Sequence, residues 1–433
     1  MATTDDDRVV TALPSPSSCH ALNVSAALVL RVATIGRVIG SPFHDRTGPL
    51  NRKQQWREWS GYLAASVYDT SHIHEYFAIR NQAALIDVSP LYKYVLRGPD
   101  ALRLVDRVIS RDATRIKPGQ VVYAAWCDEH GKVIDDGTIA RLDDDSFRWT
   151  AADPNLRWFE LNARGLDVAI DDISDATAAI AVQGPQSRAV LAALTGADWT
   201  DLPYYRRRTA RAGRIELDVS RTGYTGDLGY ELWVDASKAP ELWDRLIELG
   251  RPYGIHAAGM LALDMTRLEA GLILIEVDYT SSRHALVPEQ SYSPFEIGLG
   301  RMVQLDKAAD FVGKRALLAE HAAGGPERRL VGLTVDWHSI EKLYQQQGLP
   351  IGVSYSTWRE QRPVFDRRRQ VGRATSGTWS PILKEQIALA SVDAVYAAPG
   401  TQLQLEWTVE GRRGKAAANV VTLPFFDPVR KRA

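Results

Sequence analysis

Ser220–Val234 reads SRTGYTGDLGYELWV. Three glycines (Gly223, Gly226, Gly229), two tyrosines and Glu231 fall in this one short run. Its reading is a Gly-rich turn running into a strand. A residue without a Cβ lets backbone approach a ligand closely. Tyr224 lies in the turn, where its ring can stack on a heterocycle. Glu231 is followed by Leu232 and Trp233, so it points into apolar surroundings. A carboxylate placed there has to be paired or hydrogen-bonded, and a guanidine-like N–H edge suits it because two parallel bonds form. The pattern equally describes a hairpin turn with an edge Glu in a surface ion pair.

A second informative stretch is Val121–Ala140, VVYAAWCDEHGKVIDDGTIA. Two strands flank a turn at 128–132, and Asp135 and Asp136 end the second apolar run. Adjacent strand residues face opposite sides. One of the pair should therefore face inward and the other solvent. An inward Asp beside a heterocyclic amine can hold a proton or balance positive charge. A solvated turn carboxylate is the alternative.

Around these stretches the chain reads as interleaved helices and strands. A helix is predicted over Ser71–Ala84, with Ser71 as its cap. Strand Tyr92–Leu96 is followed by Gly98-Pro99-Asp100 and a helix burying Ala101, Leu104, Val105, Val108 and Ile109. Pro in a first helical turn loses no hydrogen bond. The same unit recurs at Ala178–Val182 and Gly184-Pro185-Gln186. Another helix is predicted at about Pro240–Leu249. From about Arg329 the pattern changes to short strands at Leu330–Val335, Val353–Tyr355, Gly372–Ser376, Ile387–Val392 and Gln402–Val409, which suggests a small barrel. The Gly-rich piece Ala322–Glu327 reads as a linker.

Composition sets limits. The 433 residues imply several domains, at about 100–200 residues each. Fifty-two basic against 53 acidic side chains give a net charge of −1, which argues against a protein built to grip nucleic acid. Cys19 and Cys127 are too few for a disulfide framework or a zinc site. His72 and His74, at i and i+2 on a helix, point apart, so no metal is expected. No phosphate-loop, dinucleotide or nucleophile-elbow motif occurs. The start of the chain is acidic, and the apolar run Ala21–Gly40 is broken by Arg31 and Arg37, so neither a secretory signal nor a membrane anchor is expected. The expected location is the cytoplasm.

Ten stretches in one order resemble the glycine-cleavage T-protein family of folate-dependent aminomethyltransferases and their demethylase relatives. They include AIRNQAALIDVS (78–89), RGPDA (97–101), GKVIDD (131–136), AVQGPQS (181–187), SRTGYTGDLGYEL (220–232) and RLEAGL (267–272). Further on come SPFEIGLGRMV (293–303), DFVGKRAL (310–317), GRATSGTWSPILKEQIALASV (372–392) and FFDPVRKR (425–432). The resemblance implies an α+β, three-domain clover-leaf fold with a C-terminal β-barrel domain. Its expected divisions are an extension over 1–40, two interleaved folate-binding domains over 41–328 and the barrel over 329–433. It implies tetrahydrofolate as cofactor and Asp136 as the catalytic carboxylate. Tyr123, Tyr204 and Tyr224 would line the ring site, and Glu231 would pair with the pterin edge. Arg430 and Lys431 would offer a basic rim to folate's glutamate tail.

Departures from the family pattern bear on the donor. Pro90 stands where glycine-cleavage enzymes carry His, Leu263 where a folate-contacting Arg is usual, and Thr150 where many relatives have Asn. The segment Ile275–Tyr292 is longer than the simple link. Pro90 with Lys93-Tyr94 looks closer to demethylating relatives. The implied activity is transfer of a methyl or methylene unit from a small methylated compound to folate, alone or with a separate oxidase or carrier protein, and without nucleic acid or membrane. Glycine-cleavage aminomethyl transfer is the alternative. A non-enzymatic iron–sulfur maintenance role is disfavoured, because those relatives carry a Cys where Arg221–Asp227 has Thr222.

Overall fold

The computed structural model describes residues 38–352 and 354–432. The extension read over 1–40 therefore lies outside the described residues up to Arg37, while Ile39–Gly40 form a short strand parallel to Tyr62–Ala65.

A six-stranded sheet has the order Arg207–Ala212, Ile215–Ser220, Gly229–Asp235, Thr177–Gln183, Ala83–Asp87, Ile255–Ala257. A five-stranded sheet has the order Val121–Cys127, Val133–Arg141, Ser146–Ala151, Tyr92–Arg97, Ala169–Asp172. The chain leaves the first sheet after Asp87, builds the whole second sheet, and returns at Thr177. This path follows from the two Gly-Pro units read in the sequence. Each ends one strand and starts one helix, Ala101–Val108 on the second sheet and Ser187–Thr195 on the first. The helical stripe Ala101, Leu104, Val105, Val108 and Ile109 is fully buried against the five-stranded sheet.

The six-stranded sheet is covered on both faces. Leu191, Leu242 and Trp243 pack from one side on Ile180 and Leu232. On the other, Tyr76 and Ile79 of helix His72–Asn81 and Met265 of helix Met260–Glu269 pack on Ile86 and Trp233. Ser71 caps the first of these helices, its hydroxyl accepting from the Ile73 N–H at 3.2 Å. That helix ends at Asn81, short of the predicted Ala84, because Ala83–Asp87 pairs into the sheet on both edges.

The C-terminal strands close into a six-stranded barrel spanning Arg328–Val421. The strand predicted at Val353–Tyr355 does not form at Ser354 and Tyr355, and Val353 lies outside the described residues. Arg362–Asp366 and Arg412–Val421 supply strands instead. Neither shows a clear apolar alternation: one contains Pro363, the other opens Arg-Arg-Gly-Lys before an alanine run.

One buried guanidinium joins these parts. Arg80 donates from Nε and Nη2 to Glu269 at 2.9 and 2.5 Å, and from Nη1 to the Thr225 carbonyl at 2.9 Å. Tyr76 and the barrel's Ser380 both donate to the other Glu269 oxygen at 2.6 Å. The Phe426 ring covers the Arg80 guanidinium at 4.6 Å. No helix among the described residues is long and apolar enough to cross a membrane.

Stranding one member of a buried ion pair costs about 3–5 kcal/mol, whereas replacing both by apolar groups costs far less. Arg80→Met is therefore expected to destabilise the chain on that scale in chemical denaturation. Arg80→Met/Glu269→Met is expected to regain part of the loss. A single variant as stable as the parent would show that the pair contributes nothing net.

Candidate active site

Pleat geometry starts the site. On the antiparallel pair Val121–Cys127 and Val133–Arg141, Ala125 stands opposite Asp136, which puts Tyr123 diagonally across on the same face. The Tyr123 hydroxyl donates to Asp136 Oδ2, and the Tyr279 hydroxyl donates to Asp136 Oδ1. Gly137 is required beside it. A Cβ there would sit 2.0 Å from the Thr150 carbonyl oxygen of the neighbouring strand. Thr150 itself is buried and its hydroxyl meets that of Thr138 at 2.7 Å.

Asp135 and Asp136 face opposite sides as expected, but neither stands on a solvated surface: Asp135 is in the core and Asp136 keeps only partial exposure. Asp135 is fully buried under the loop Asp153–Asn155, accepting from the Asp153 N–H at 3.0 Å and from Asn155 Nδ2 at 2.9 Å. Segment Ile275–Tyr292 covers the other face. Burial pushes both carboxyls up from the usual range, and for Asp135 the Asp136 charge adds to it. The two tyrosine hydroxyls act the other way on Asp136 by stabilising its ionised form.

Glu231 lies on strand Gly229–Asp235. Its Oε2 accepts from Thr222 at 2.6 Å, and no described residue bonds its other oxygen. Burial raises its titration, while the Thr222 bond and the Arg148 charge oppose the rise. Arg148 is itself spoken for: it pairs with Asp218 across the two sheets and lies 4.1 Å over the Trp233 ring. Glu231 thus keeps a free acceptor inside the protein.

The tyrosines fill the space between the carboxylates. Tyr205 sits at positive φ (61°), its carbonyl accepting from the Val121 N–H at 2.9 Å and its N–H donating to the Arg221 carbonyl at 3.0 Å. These bonds pin the Tyr204–Tyr205 loop where the two sheets meet. The two rings stand edge to face at 4.6 Å. Tyr205 lies in the electrostatic reach of Glu231, and Tyr123 in that of Tyr205 and Tyr224. The Tyr224 hydroxyl donates to the Ile273 carbonyl. Tyr123, Asp136, Tyr204, Tyr205, Tyr224 and Glu231 all keep partial exposure.

All five residues singled out in the sequence thus belong to one neighbourhood. Three readings change. The glycines of Ser220–Val234 do not make room for a ligand. Cβ atoms at Gly223 and Gly229 would lie 2.1 and 2.3 Å from the buried Gln183 side chain, and one at Gly226 would lie 2.4 Å from Ala270. Arg430 does not form a free rim, since it holds Asp227 at 2.7 and 2.8 Å, though Lys431 does approach the Tyr204 ring at 5.9 Å. Pro90 is buried beside Tyr68 and Asp87. Next to Leu263, Asp264 draws Arg359 to 2.7 Å, and Arg57 stands close by without a hydrogen bond or ion pair among the described residues. Sequence reading missed Tyr205 and Tyr279. Tyr205 adjoins a singled-out tyrosine, and Tyr279 lies in the segment noted for its length.

One sheet interrupted by a second, with a barrel after both, is the architecture to which the comparisons with known proteins attach a class. The GCVT N-terminal domain family matches residues 44–307 and the glycine cleavage T-protein C-terminal barrel domain family matches 328–427. The chain belongs to the glycine cleavage T-protein family.

Among its relatives, an aminomethyltransferase of Moorella thermoacetica is 35% identical over 378 residues, covering 86% of this chain and 94% of that protein. A trimethylamine-oxide aldolase of Ruegeria pomeroyi is 35% identical over 408 residues, covering 90% of this chain. The match spans only 47% of that relative's length. The glycine cleavage system aminomethyltransferase T of Bartonella henselae shares the fold, with a TM-score of 0.75 at 25% identity over 90% of this chain and 98% of that one. The expected α+β fold with a C-terminal barrel is therefore borne out.

An acid whose titration is raised on folding loses native stability as pH climbs from its unfolded value, about 3.9 for Asp, toward the native one. Asp136 is such a group. Asp136→Asn is expected to melt at the parent temperature or above it at pH 8, with the gain shrinking toward pH 4. A clearly lower melting temperature at pH 8 would show that the ionised carboxylate stabilises the fold.

Proposed function

We propose that this chain is a tetrahydrofolate-dependent one-carbon transferase. It moves a methyl or methylene unit from a small methylated compound to folate. The observation that carries the reading is the free oxygen of Glu231, an enclosed carboxylate whose protein partner on the other oxygen is Thr222. The pterin ring of folate carries the guanidine-like edge that such a carboxylate grips with two parallel bonds. Tyr123, Tyr204, Tyr205 and Tyr224 provide flat surface around it.

Tetrahydrofolate, when bound, supplies the nitrogen nucleophile that takes up the carbon unit. Glu231 fixes the orientation of the ring, and the tyrosines exclude water from its faces. Asp136, held by Tyr123 and Tyr279, accepts a hydrogen bond or a proton from the reacting nitrogen. Its raised titration brings the carboxyl closer to working pH, where an acid–base group is most effective. Much of the rate then comes from positioning. Pro90 with Lys93-Tyr94 supports a methylated donor over a carrier-bound aminomethyl group. Similarity to a trimethylamine-oxide aldolase adds support, although the match covers about half of that protein.

A second reading, aminomethyl transfer from a carrier protein, is favoured by the nearly full-length match to an aminomethyltransferase. Incubation with tetrahydrofolate and either methylated amines, ethers and thioethers or an aminomethyl-lipoyl carrier, followed by mass spectrometry of the folate, separates the two. Carbon transfer from neither class of donor would remove both. Asp136→Asn is expected to retain folate binding, with its pH dependence flattened, and to lose about 10²–10⁴-fold in turnover. Glu231→Ala is expected to weaken folate binding roughly 10–100-fold by calorimetry, the loss of bonds to a charged group. Unchanged affinity in that variant would remove Glu231 from the ring site.

A further inference from the structure

We propose that Tyr279 is a positioning residue for the Asp136 carboxylate, and that Asp278 makes the C-terminal barrel part of that positioning. The inference rests on Asp136 being the working carboxylate of the reading above.

Tyr279 does not belong to the sheet that carries Asp136. It lies on Ile275–Tyr292 and reaches Asp136 across 143 positions of sequence. Two sets of bonds place it. Downstream, the segment clips to the start of the Asp136 strand. The Ser282 N–H donates to the Val133 carbonyl and the Val133 N–H to the Tyr292 carbonyl, both at 2.8 Å, while Ser281 Oγ donates to the Ile134 carbonyl at 2.6 Å. Upstream, Asp278 is fully engaged. Its Oδ2 accepts from Arg267 at 2.5 Å and from the Leu274 N–H at 2.9 Å; its Oδ1 accepts from Thr375 at 2.6 Å and Ser376 at 2.7 Å.

Thr375 and Ser376 are consecutive residues of one barrel strand. In a regular strand their hydroxyls would face opposite sides. Here the strand has a bulge between Ala374 and Ser376, and both hydroxyls reach the same carboxylate oxygen. The bulge therefore delivers the barrel's grip on Asp278, and the next residue delivers its hydroxyl to Asp136.

The consequence for Asp136 is specific. A carboxylate offers about four acceptor positions. Tyr123 and Tyr279 take one on each oxygen, which fixes the plane of the group and leaves the remaining lone pairs for a ligand. The groups facing Asp136 are Tyr123 from the adjacent strand, Tyr279 from the inserted segment and Tyr224 from the Gly-rich turn, with the Asp135 charge behind it on its own strand. Tyr224 is no substitute donor, because its hydroxyl is committed to the Ile273 carbonyl. Tyr279, with Tyr123, thus opposes burial in keeping Asp136 ionised.

The test is the pH dependence of binding of 5-formyltetrahydrofolate, a stable probe, to the full chain by calorimetry. Asp136→Asn subtracts every titration other than that of Asp136. In the parent, the part of the profile that this variant abolishes is the Asp136 step. Tyr279→Phe, which removes one oxygen and keeps the ring, is expected to move that step upward by about one pH unit. Thr375→Val/Ser376→Ala is expected to move it in the same direction by less. Melting temperatures report whether each variant is folded, and a structural defect alone weakens binding evenly at all pH values. If Asp136→Asn leaves the profile as in the parent, the reading of Asp136 fails and this inference with it. If Asp136→Asn removes the step and Tyr279→Phe leaves it in place, the role of Tyr279 is overturned and the reading of Asp136 stands. If Tyr279→Phe moves the step and the barrel variant does not, the barrel's part is overturned.

Discussion

The Arg80–Glu269 pair is the constraint on which the arrangement depends. A guanidinium and a carboxylate with no solvent access have to satisfy every donor and acceptor within the protein. That requirement recruits partners from distant stretches: Thr225 from the Gly-rich turn, Tyr76 from the same helix as Arg80, Ser380 from the barrel and Phe426 from the tail. Two residues earlier on the Glu269 helix, Arg267 repeats the pattern with Asp264 and Asp278. Helix Met260–Glu269 therefore carries two buried ionic knots, and both run into the barrel, one through Ser380 and one through Asp278 to Thr375 and Ser376. Apolar burial alone is non-directional. The knots supply the directional part, which sets where the Gly-rich turn and the inserted segment lie relative to the sheets.

That rigidity has a use at the site. Asp135, Asp136 and Glu231 are all carboxyls raised by burial, so each costs stability in its ionised form. A loose scaffold would relieve the cost by letting water in or by turning the side chains outward. Here Asp135 is shut under the Asp153–Asn155 loop, and Asp136, partly exposed, is held in place by Tyr123 and Tyr279. Strained or destabilised groups of this kind persist where the surroundings over-determine them. The same trade is visible between the sheets, where Arg148 is drawn to Asp218 and Trp233 and lends Glu231 its charge without closing off the free oxygen.

Much of this was legible in the sequence, for reasons that can be named. Gly-Pro punctuation and the stripe from Ala101 to Ile109 are local signals, and they placed helices and strands correctly. Asp136, Tyr123 and Glu231 stood out because short motifs carried them. What escaped was long-range. Nothing local says that the glycines at 223 and 229 make way for Gln183, since Gln183 is distant in sequence. Solvent exposure for one of two adjacent aspartates follows from a sheet with one wet face, and only the covering segments make that wrong. Arg430 looked free because Asp227, its partner, is 203 positions away. Tyr279 sits in a stretch with no periodicity, and its contact with Asp136 spans 143 positions of sequence.

Two of the departures from the family pattern lie near the start of helix Met260–Glu269. Leu263 packs in the cluster that Met260 and Tyr224 touch, and Pro90 lines a small cavity together with Gly259 and Met260. There the missing cation at 263 is met by Arg359 on Asp264 and by the unpaired Arg57 beside it. Arg57 is half-buried near Arg359, and the Asp264 charge acts on both. Asp136 and Glu231, by contrast, are fixed in the two large sheets. Arg57 comes from the small N-terminal sheet, and Arg359 from the loop that precedes barrel strand Arg362–Asp366. Helix Met260–Glu269 is thereby held at both ends, Asp264 drawing Arg359 from the barrel domain and Glu269 holding Arg80, so the side with Arg57 and Arg359 hangs on the same element that ties the sheets to the barrel.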